Sequence, residues 1–385
     1  MPPDRIRLRA ELDLAPGLIY MNHAAVAPWP RRTADAVCRF ARENAATGAL
    51  HYPRWLEIEH RLRQRVARLV NAAPDDIALL KNTSEGLSAV AFGLPWRPAD
   101  SVVGIAADFP SNRVVWEALR EFGVQFRGVG VNGIADPEGA LEAACDRSTR
   151  LMAVSWVHYV TGLTLDLQRL GRFCRDHGIL FCVDAIQGLG ALPIDVQAAR
   201  VDFLAADGHK WLLGPEGAAV FYCRPEIRDR LRLRQLGWHS LQHPGDYGRA
   251  DWSLAASARR FECGSPNLLG IHALEASLSL LEEAGTAWVA GRVRENTRWL
   301  REAFQAITAV EVRGPADPAR WSGIVSLRTP GRDGNGLVSR LAEAGIVCAT
   351  RDGGLRFSPH FYNNDNDMEA VRKNLSRILA DGQIS

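Results

Sequence analysis

Short apolar runs bounded by turn residues recur along the chain as far as Cys223. IALL at 77–80, SVVGIA at 101–106, LMAVSWV at 151–157, ILFCV at 179–183, VDFLAA at 201–206 and GAAVFYC at 217–223 are near-continuous rather than alternating. That is the pattern of strands covered on both faces. Between them the period lengthens. Residues 31–46 and 55–70 read as amphipathic helices, a third helix runs through Leu87, Val90 and Leu94, and 163–179 supplies a crossover helix. Asp136 and Pro137 open a further helix as N-cap and first-turn proline. Repeated strand–helix–strand units predict an α/β fold with a mainly parallel sheet that binds ligands at its carboxyl edge. After Cys223 the pattern becomes irregular, and LGWHSLQHPGDYG reads as a long loop. The last hundred-odd residues alternate strands (324–327, 346–349) with helices (337–344, 367–379), a smaller α+β unit. The expected organisation is a charged, loosely structured arm over 1–17, a large domain over 18–255 and a small domain over 256–385.

Composition narrows the class. A 385-residue chain that is 47% hydrophobic and 23% charged has globular proportions and exceeds one ordinary core. Its net charge of +2, without a block of like charges, argues against a nucleic-acid partner. No apolar run is long enough to span a membrane, and the opening MPPDRIRLRAELD lacks a signal-peptide core. Seven cysteines without a C-x-x-C spacing suggest reduced thiols and hence the cytoplasm. His239, His243 and His272 show no metal-ligand spacing, so no metal is expected.

The candidate chemistry centres on VDFLAADGHKWLLGPEGAAVFYC, residues 201–223. Lys210 lies between two buried runs, with Gly208 and Gly214 expected to loosen the backbone around it. An unpartnered buried ammonium is costly, and burial depresses its pKa toward the nucleophilic amine that forms a Schiff base with an aldehyde. A loop lysine pointing to solvent is the alternative. Asp184, at the end of the preceding strand, would reach the same sheet edge. Pyridoxal 5'-phosphate needs that pair, a lysine for its aldehyde and an acid for its pyridine nitrogen. Thr83 and Ser84 stand at a strand-to-helix boundary, where hydroxyls cap the helix or an anion binds its N-terminus. GVGVNG at 128–133 matches G-x-G-x-x-G formally, but the following helix begins too late, so these glycines read as turn residues.

Strand-Asp-x-x-Gln followed by Gly-His-Lys-Trp resembles the class V aminotransferase group of pyridoxal-phosphate enzymes of fold type I. That group includes cysteine desulfurases, isopenicillin N epimerase-like proteins and kynureninases. The resemblance extends over about residues 18–380. It implies that Lys210 holds the cofactor and moves protons as general acid/base, that Asp184 fixes the pyridinium, and that Gln187 bonds the phenolic oxygen. Thr83, Ser84, His209 and, from a partner subunit, Ser265 would hold the phosphate, which implies a homodimer with shared active sites. Asp207 stands where relatives often carry a serine ligand. Phe109 would stack on the pyridine, as in kynureninase-like members, where desulfurases place a histidine. Asn22 and His23 would line the site, and Tyr159 occupies the place of a desulfurase asparagine. The segment from Arg356 resembles the family's Arg-x-Ser-x-x-x-Tyr-Asn signature, whose arginine grips a substrate α-carboxylate. Desulfurases also need a cysteine on a mobile loop, and the nearby candidate, Cys348, sits in the strand pattern GIVCAT. The implied function is an aminotransferase or carbon–sulfur β-elimination lyase acting on an L-amino acid. Alternatives are an epimerase, a kynureninase-like C–C hydrolase, or a cofactor-binding regulator, although no stretch before Asn22 is long enough for a DNA-reading helix-turn-helix.

Overall fold

A computed structural model describes residues 4–381. Its larger sheet has seven strands: β1 Ile77–Leu80, β2 Ser101–Ile105, β3 Gln125–Val129, β4 Thr149–Ser155, β5 Leu180–Asp184, β6 Phe203–Asp207 and β7 Ala219–Cys223. They lie in the order β1-β7-β6-β5-β4-β2-β3. The pairings from β3 through β6 are parallel, and β7 runs antiparallel to both β6 and β1. The sheet is therefore mixed and mainly parallel, as the continuous apolar runs require.

Strand parity assigns the two faces. Phe181, Val183, Leu204 and Ala206 enter one hydrophobic core, whereas Leu180, Cys182, Phe203 and Ala205 enter the other. Asp184 shares its parity with Leu180 and Cys182, and Asp207 shares its parity with Phe203 and Ala205. Both carboxylates therefore emerge at the carboxyl edge on the face covered by the helix Thr83–Gly93, whose Leu87, Val90 and Ala91 belong to the same core. That helix approaches β6 closely because Gly86 has no side chain: a Cβ there would lie 3.0 Å from Ala205 Cβ and 3.1 Å from the Phe221 ring.

The helices α1 Arg31–Thr47, α2 Tyr52–Val70, α3 Thr83–Gly93 and α4 Leu167–Asp176 appear close to their expected places. The crossover α4 is shorter than expected because Asp166 caps it, its carboxylate accepting the Arg169 N–H at 3.0 Å. Helix α5, Leu268–Ala284, packs against α1 and α2 and adds Ile271, Leu274 and Leu278 to the first core.

The smaller sheet is antiparallel, in the order β10-β11-β9-β8, from β8 Glu311–Arg313, β9 Val325–Arg328, β10 Ala349–Arg351 and β11 Gly354–Phe357. Its core joins Val325, Leu327, Leu355 and Phe357 to Leu300 and Phe304 of α6, Thr286–Gln305, and to Met368 and Leu375 of α7, Asp365–Asp381. Because α5 and the start of α6 pack with the large sheet, we propose the division between units within α6 rather than at residue 256. The strand expected over 346–349 is divided. Ile346–Val347 pairs in parallel with Ile19–Tyr20, Ala349 opens β10, and Cys348 is buried between them. The N-terminal arm is also more ordered than its charge suggested. Arg5–Ala10 is helical, Leu8 and Leu12 are buried, and Arg9 donates to Asp367 Oδ2 and the Tyr362 carbonyl at 2.8 and 2.7 Å.

Candidate active site

The carboxyl ends of β5 and β6, the first turn of α3 and the hairpin β10–β11 enclose a cavity of about 290 Å³. Lys210 enters it from the turn after β6 and is 7% exposed. Its backbone is held by close approach, not loosened. A Cβ at Gly208 would meet the Ala218 carbonyl at 2.8 Å, and one at Gly214 would meet Leu274 Cδ1 at 2.6 Å. Gly214 N–H donates to the Gly208 carbonyl at 2.8 Å, closing the turn around the lysine. Trp211 anchors it from the next position. It is fully buried, its carbonyl lies 3.1 Å from His360 Nε2, and its indole N–H donates to Gln187 Oε1 at 3.1 Å.

That last bond orients the Gln187 amide. With Oε1 occupied, Nε2 donates to the Ala24 carbonyl at 2.9 Å and keeps a second N–H. Asp184 is buried and accepts the Ile186 N–H at 3.0 Å. Burial and the nearby Asp108 carboxylate raise its pKa, partly opposed by that N–H and by Lys210. Burial lowers the pKa of Lys210, with Asp184 opposing and Arg356 adding to the shift. The lysine thus has the depressed basicity that its position between two buried strands implied.

At the other end of the cavity, Asn82 is the N-cap of α3 and accepts the Glu85 N–H at 2.9 Å. Thr83 and Ser84, the expected caps, are instead first-turn residues that line the cavity. Asp207 Oδ2 accepts from Thr83 N–H at 3.1 Å and from its hydroxyl at 3.3 Å. Asp207 Oδ1 and His209 Nδ1 lie 3.8 Å apart, and both are buried without a hydrogen-bond partner. Ser84 Oγ donates to Ser111 Oγ at 2.8 Å. Phe109 is 40% exposed, with its ring centroid 5.5 Å from Lys210 Nζ and 5.4 Å from the Tyr159 ring. Arg356 is 1% exposed and donates through Nη1 to the Tyr159 carbonyl at 2.8 Å, while Nε and Nη2 have no partner.

Lys210, Asp184, Gln187, Thr83, Ser84, Phe109, His209, Tyr159 and Arg356 therefore meet in one cavity. Three named residues lie outside it, Asn22 and His23 against expectation and Ser265 as a residue expected to serve a partner subunit's site. His23 is turned into the core, with Nδ1 2.7 Å from the Ser358 carbonyl and Nε2 2.8 Å from the Tyr362 hydroxyl, and burial holds its pKa well below the ordinary histidine value. Asn22 bridges to Ser358 and lies outside the cavity lining, where the same loop contributes Ala24, Ala25 and Val26 instead. Ser265 is exposed and lines a separate recess with Lys81 and Cys263. The lining also includes Ser111 and Arg351, which carried no recognisable pattern of their own in the sequence. Among the described residues no cysteine lines the cavity, and burial pushes the Cys348 thiol up to about 12, a poor nucleophile. Elsewhere, Glu59, His239 and Glu262 bring ligand atoms within 4.8 Å of one another despite their sequence spacing. Arg63 pairs with both carboxylates and supplies the positive charge there.

A buried lysine of lowered pKa facing a buried acid, beside an aromatic face and a helix N-terminus, at the carboxyl edge of a mainly parallel sheet, is a site for carbonyl chemistry on a phosphorylated aromatic cofactor. The particular family follows from comparison. The class-V aminotransferase profile matches residues 19–371, and the chain belongs to that family. A probable cysteine desulfurase of Methanothermobacter thermautotrophicus is 30% identical over 97% of this chain and 98% of its own length. The isopenicillin N epimerase of Amycolatopsis lactamdurans is 27% identical over 96% of this chain and 97% of its own. The apo structure of a cysteine desulfurase from Thermococcus onnurineus shares the fold, with a TM-score of 0.90 at 24% identity and 99% of each chain covered.

Proposed function

We propose that this chain is a pyridoxal-phosphate enzyme acting on an L-amino acid, an aminotransferase or a carbon–sulfur β-elimination lyase. The observation that carries it is the meeting of Lys210 and Asp184 in one buried cavity with Gln187 and the open face of Phe109. When bound, the cofactor supplies an aldehyde for the lysine and an aromatic ring that accepts electrons from the substrate's α-carbon. The residues fit that group. The unpartnered N–H of Gln187 suits the phenolic oxygen, Asp184 suits a protonated ring nitrogen, and Phe109 offers a face for stacking. Thr83, Ser84, Ser111 and His209 gather at the N-terminus of α3, where His209 Nδ1 lacks a partner. Asp207 occupies the Thr83 donors itself, so the phosphate would rest on Ser84, Ser111 and His209 more than on Thr83.

The chain's own groups then divide the work. Arg356 holds the α-carboxylate through its unpaired Nε and Nη2, which fixes which α-carbon bond faces Lys210. Lys210 would remove and return a proton at that carbon as general acid/base, and its lowered pKa would bring the neutral amine within reach near neutral pH. Tyr159 and Phe109 line the same cavity edge to face, with ring centroids 5.4 Å apart. The exposed Ser265 supports a homodimer in which each subunit completes the other's phosphate site, and seven free cysteines support a reducing, cytoplasmic setting.

The test is an absorbance spectrum of the native protein and of Lys210→Ala, before and after a panel of L-amino acids. A long-wavelength band that depends on Lys210 and shifts with one amino acid is expected. Release of an enzyme-bound amine to a keto-acid acceptor identifies transamination, and release of pyruvate with sulfide identifies elimination. A native protein that neither carries nor takes up pyridoxal phosphate would refute the reading.

A further inference from the structure

The hairpin that carries Arg356 brings a second guanidinium into the cavity. Asp352 and Gly353 form its turn with φ of 50° and 69°, a two-residue turn of the kind that fixes strand register. In that register Arg351 opposes Gly354, and Ala349 opposes Arg356. Arg351 and Arg356 therefore sit diagonally on the same face, as like charges in neighbouring positions, an arrangement that is unfavourable by itself. Position 354 offers Arg351 no side chain, because a Cβ there would meet the Leu327 carbonyl at 2.1 Å. The adjacent acid is taken as well, since Asp352 Oδ2 accepts from Arg313 at 2.7 Å. Among the described residues Arg351 has no ion pair. Its hydrogen bond goes from Nη1 to the Thr350 carbonyl at 2.7 Å. It nonetheless lines the cavity, half-buried, beside Arg356 and Lys210.

The charges within the cavity do not answer these two arginines. Asp207 is engaged by Thr83, and Asp184 is the acid that would hold the cofactor's protonated ring nitrogen. One α-carboxylate satisfies one planar guanidinium through two parallel hydrogen bonds. A second guanidinium that faces the same cavity without an acidic partner leaves donors for a second anion.

We infer that Arg351 is a specificity-determining residue that selects amino acids whose side chain ends in a negatively charged group, a carboxylate or an oxidised sulfur acid. Arg356 takes the α-carboxylate and Arg351 takes the distal anion. This inference rests on the function proposed above and narrows its substrate class.

The test uses the full-length protein loaded with pyridoxal phosphate, with dissociation constants read from the spectral shift and from calorimetry. L-aspartate and L-cysteine sulfinate are compared with L-asparagine and L-alanine. The acidic ligands should bind about tenfold tighter than the neutral ones, as expected for one charge-assisted contact. Arg351→Met should abolish that preference and leave L-alanine affinity within about twofold, and Arg351→Lys should restore part of the preference. Thermal melts of each variant keep a folding defect separate from a lost contact. Equal weakening of aspartate and alanine in Arg351→Met would assign both arginines to the α-carboxylate and overturn the inference, as would a wild type without preference for the acids. A protein that takes up no cofactor, or responds to no amino acid of either kind, would instead overturn the proposed function and this inference with it.

Discussion

At the scale of single residues the site is a set of costs left for a ligand to relieve. Lys210 is the clearest case, and its titration has a definite sign. Burial holds its pKa below the ordinary 10.5, so between the folded value and 10.5 the unfolded chain binds more protons, and stability rises with pH. Below the folded value the cost is present in full. Asp184 behaves oppositely. Its raised pKa makes the folded chain bind more protons from 3.8 up to that value, so stability falls as pH rises through this interval. Removing the lysine also removes a cation that favours ionised Asp184, which extends that fall to higher pH. In the cofactor-free protein, Lys210→Met should therefore have a larger unfolding free energy than wild type near neutral pH, by roughly 1–3 kcal/mol. The difference should shrink as pH rises, which calorimetric melts across a pH series would measure. A difference that grows with pH would contradict the buried, unpaired state of the lysine. Trp211 acts on the same site through Gln187. In Trp211→Phe the amide Oε1 loses its donor, and pyridoxal phosphate affinity should fall severalfold, by the roughly 1 kcal/mol of one hydrogen bond, as read by equilibrium titration of the cofactor.

At the scale of elements, α3 matters as a positioned N-terminus more than as a helix. Its capping is done by Asn82, which leaves Thr83 and Ser84 free to face the cavity. Its approach to β6 depends on Gly86. Gly86→Ala would place a methyl group against Ala205 and Phe221, and overpacking of this kind costs about 1–3 kcal/mol. Urea unfolding should show that loss. Cofactor affinity should fall with it, because the helix must move away from Asp207 and His209. Retained affinity in a destabilised variant would mean that the first turn of α3 does not hold the phosphate. The hairpin β10–β11 belongs to the same scale, since one turn geometry sets two arginines on one face.

At the scale of the whole molecule, the cavity is closed by two units that the chain visits at distant places. Gly323 packs so closely on Trp211 that a Cβ would come within 2.2 Å of the indole ring, and Arg9 ties the N-terminal helix to Asp367. Ser265, outside its own cavity, bears on assembly. If sites are shared across a dimer, co-expressed Lys210→Ala and Ser265→Arg chains should form hybrids with one intact site, recovering up to about half of the activity that each homodimer lacks. No recovery in hybrids isolated by differential tags would show that each subunit completes its own site.

The residues 201–223 and 179–184 by themselves placed a lysine and a carboxylate at the ends of two buried runs, and left open whether the lysine faced a site or solvent. Continuous apolar runs admit a strand buried on both faces, and such strands end together at the carboxyl side. The α3 end of the cavity was legible for the same local reason, a strand-to-helix turn carrying hydroxyls. What the sequence left open depends on which atoms satisfy one another across distant segments. His23 had two readings, loop or site, until Ser358 and Tyr362 closed around both of its ring nitrogens. Asp207 could be placed beside a phosphate but not seen to occupy the Thr83 donors, a contact set by the packing of α3 on β6. Arg351 had no pattern at all. Its place in the cavity arises from hairpin register and from the docking of the small sheet against the large one, and long-range packing of that kind leaves no periodicity in the chain.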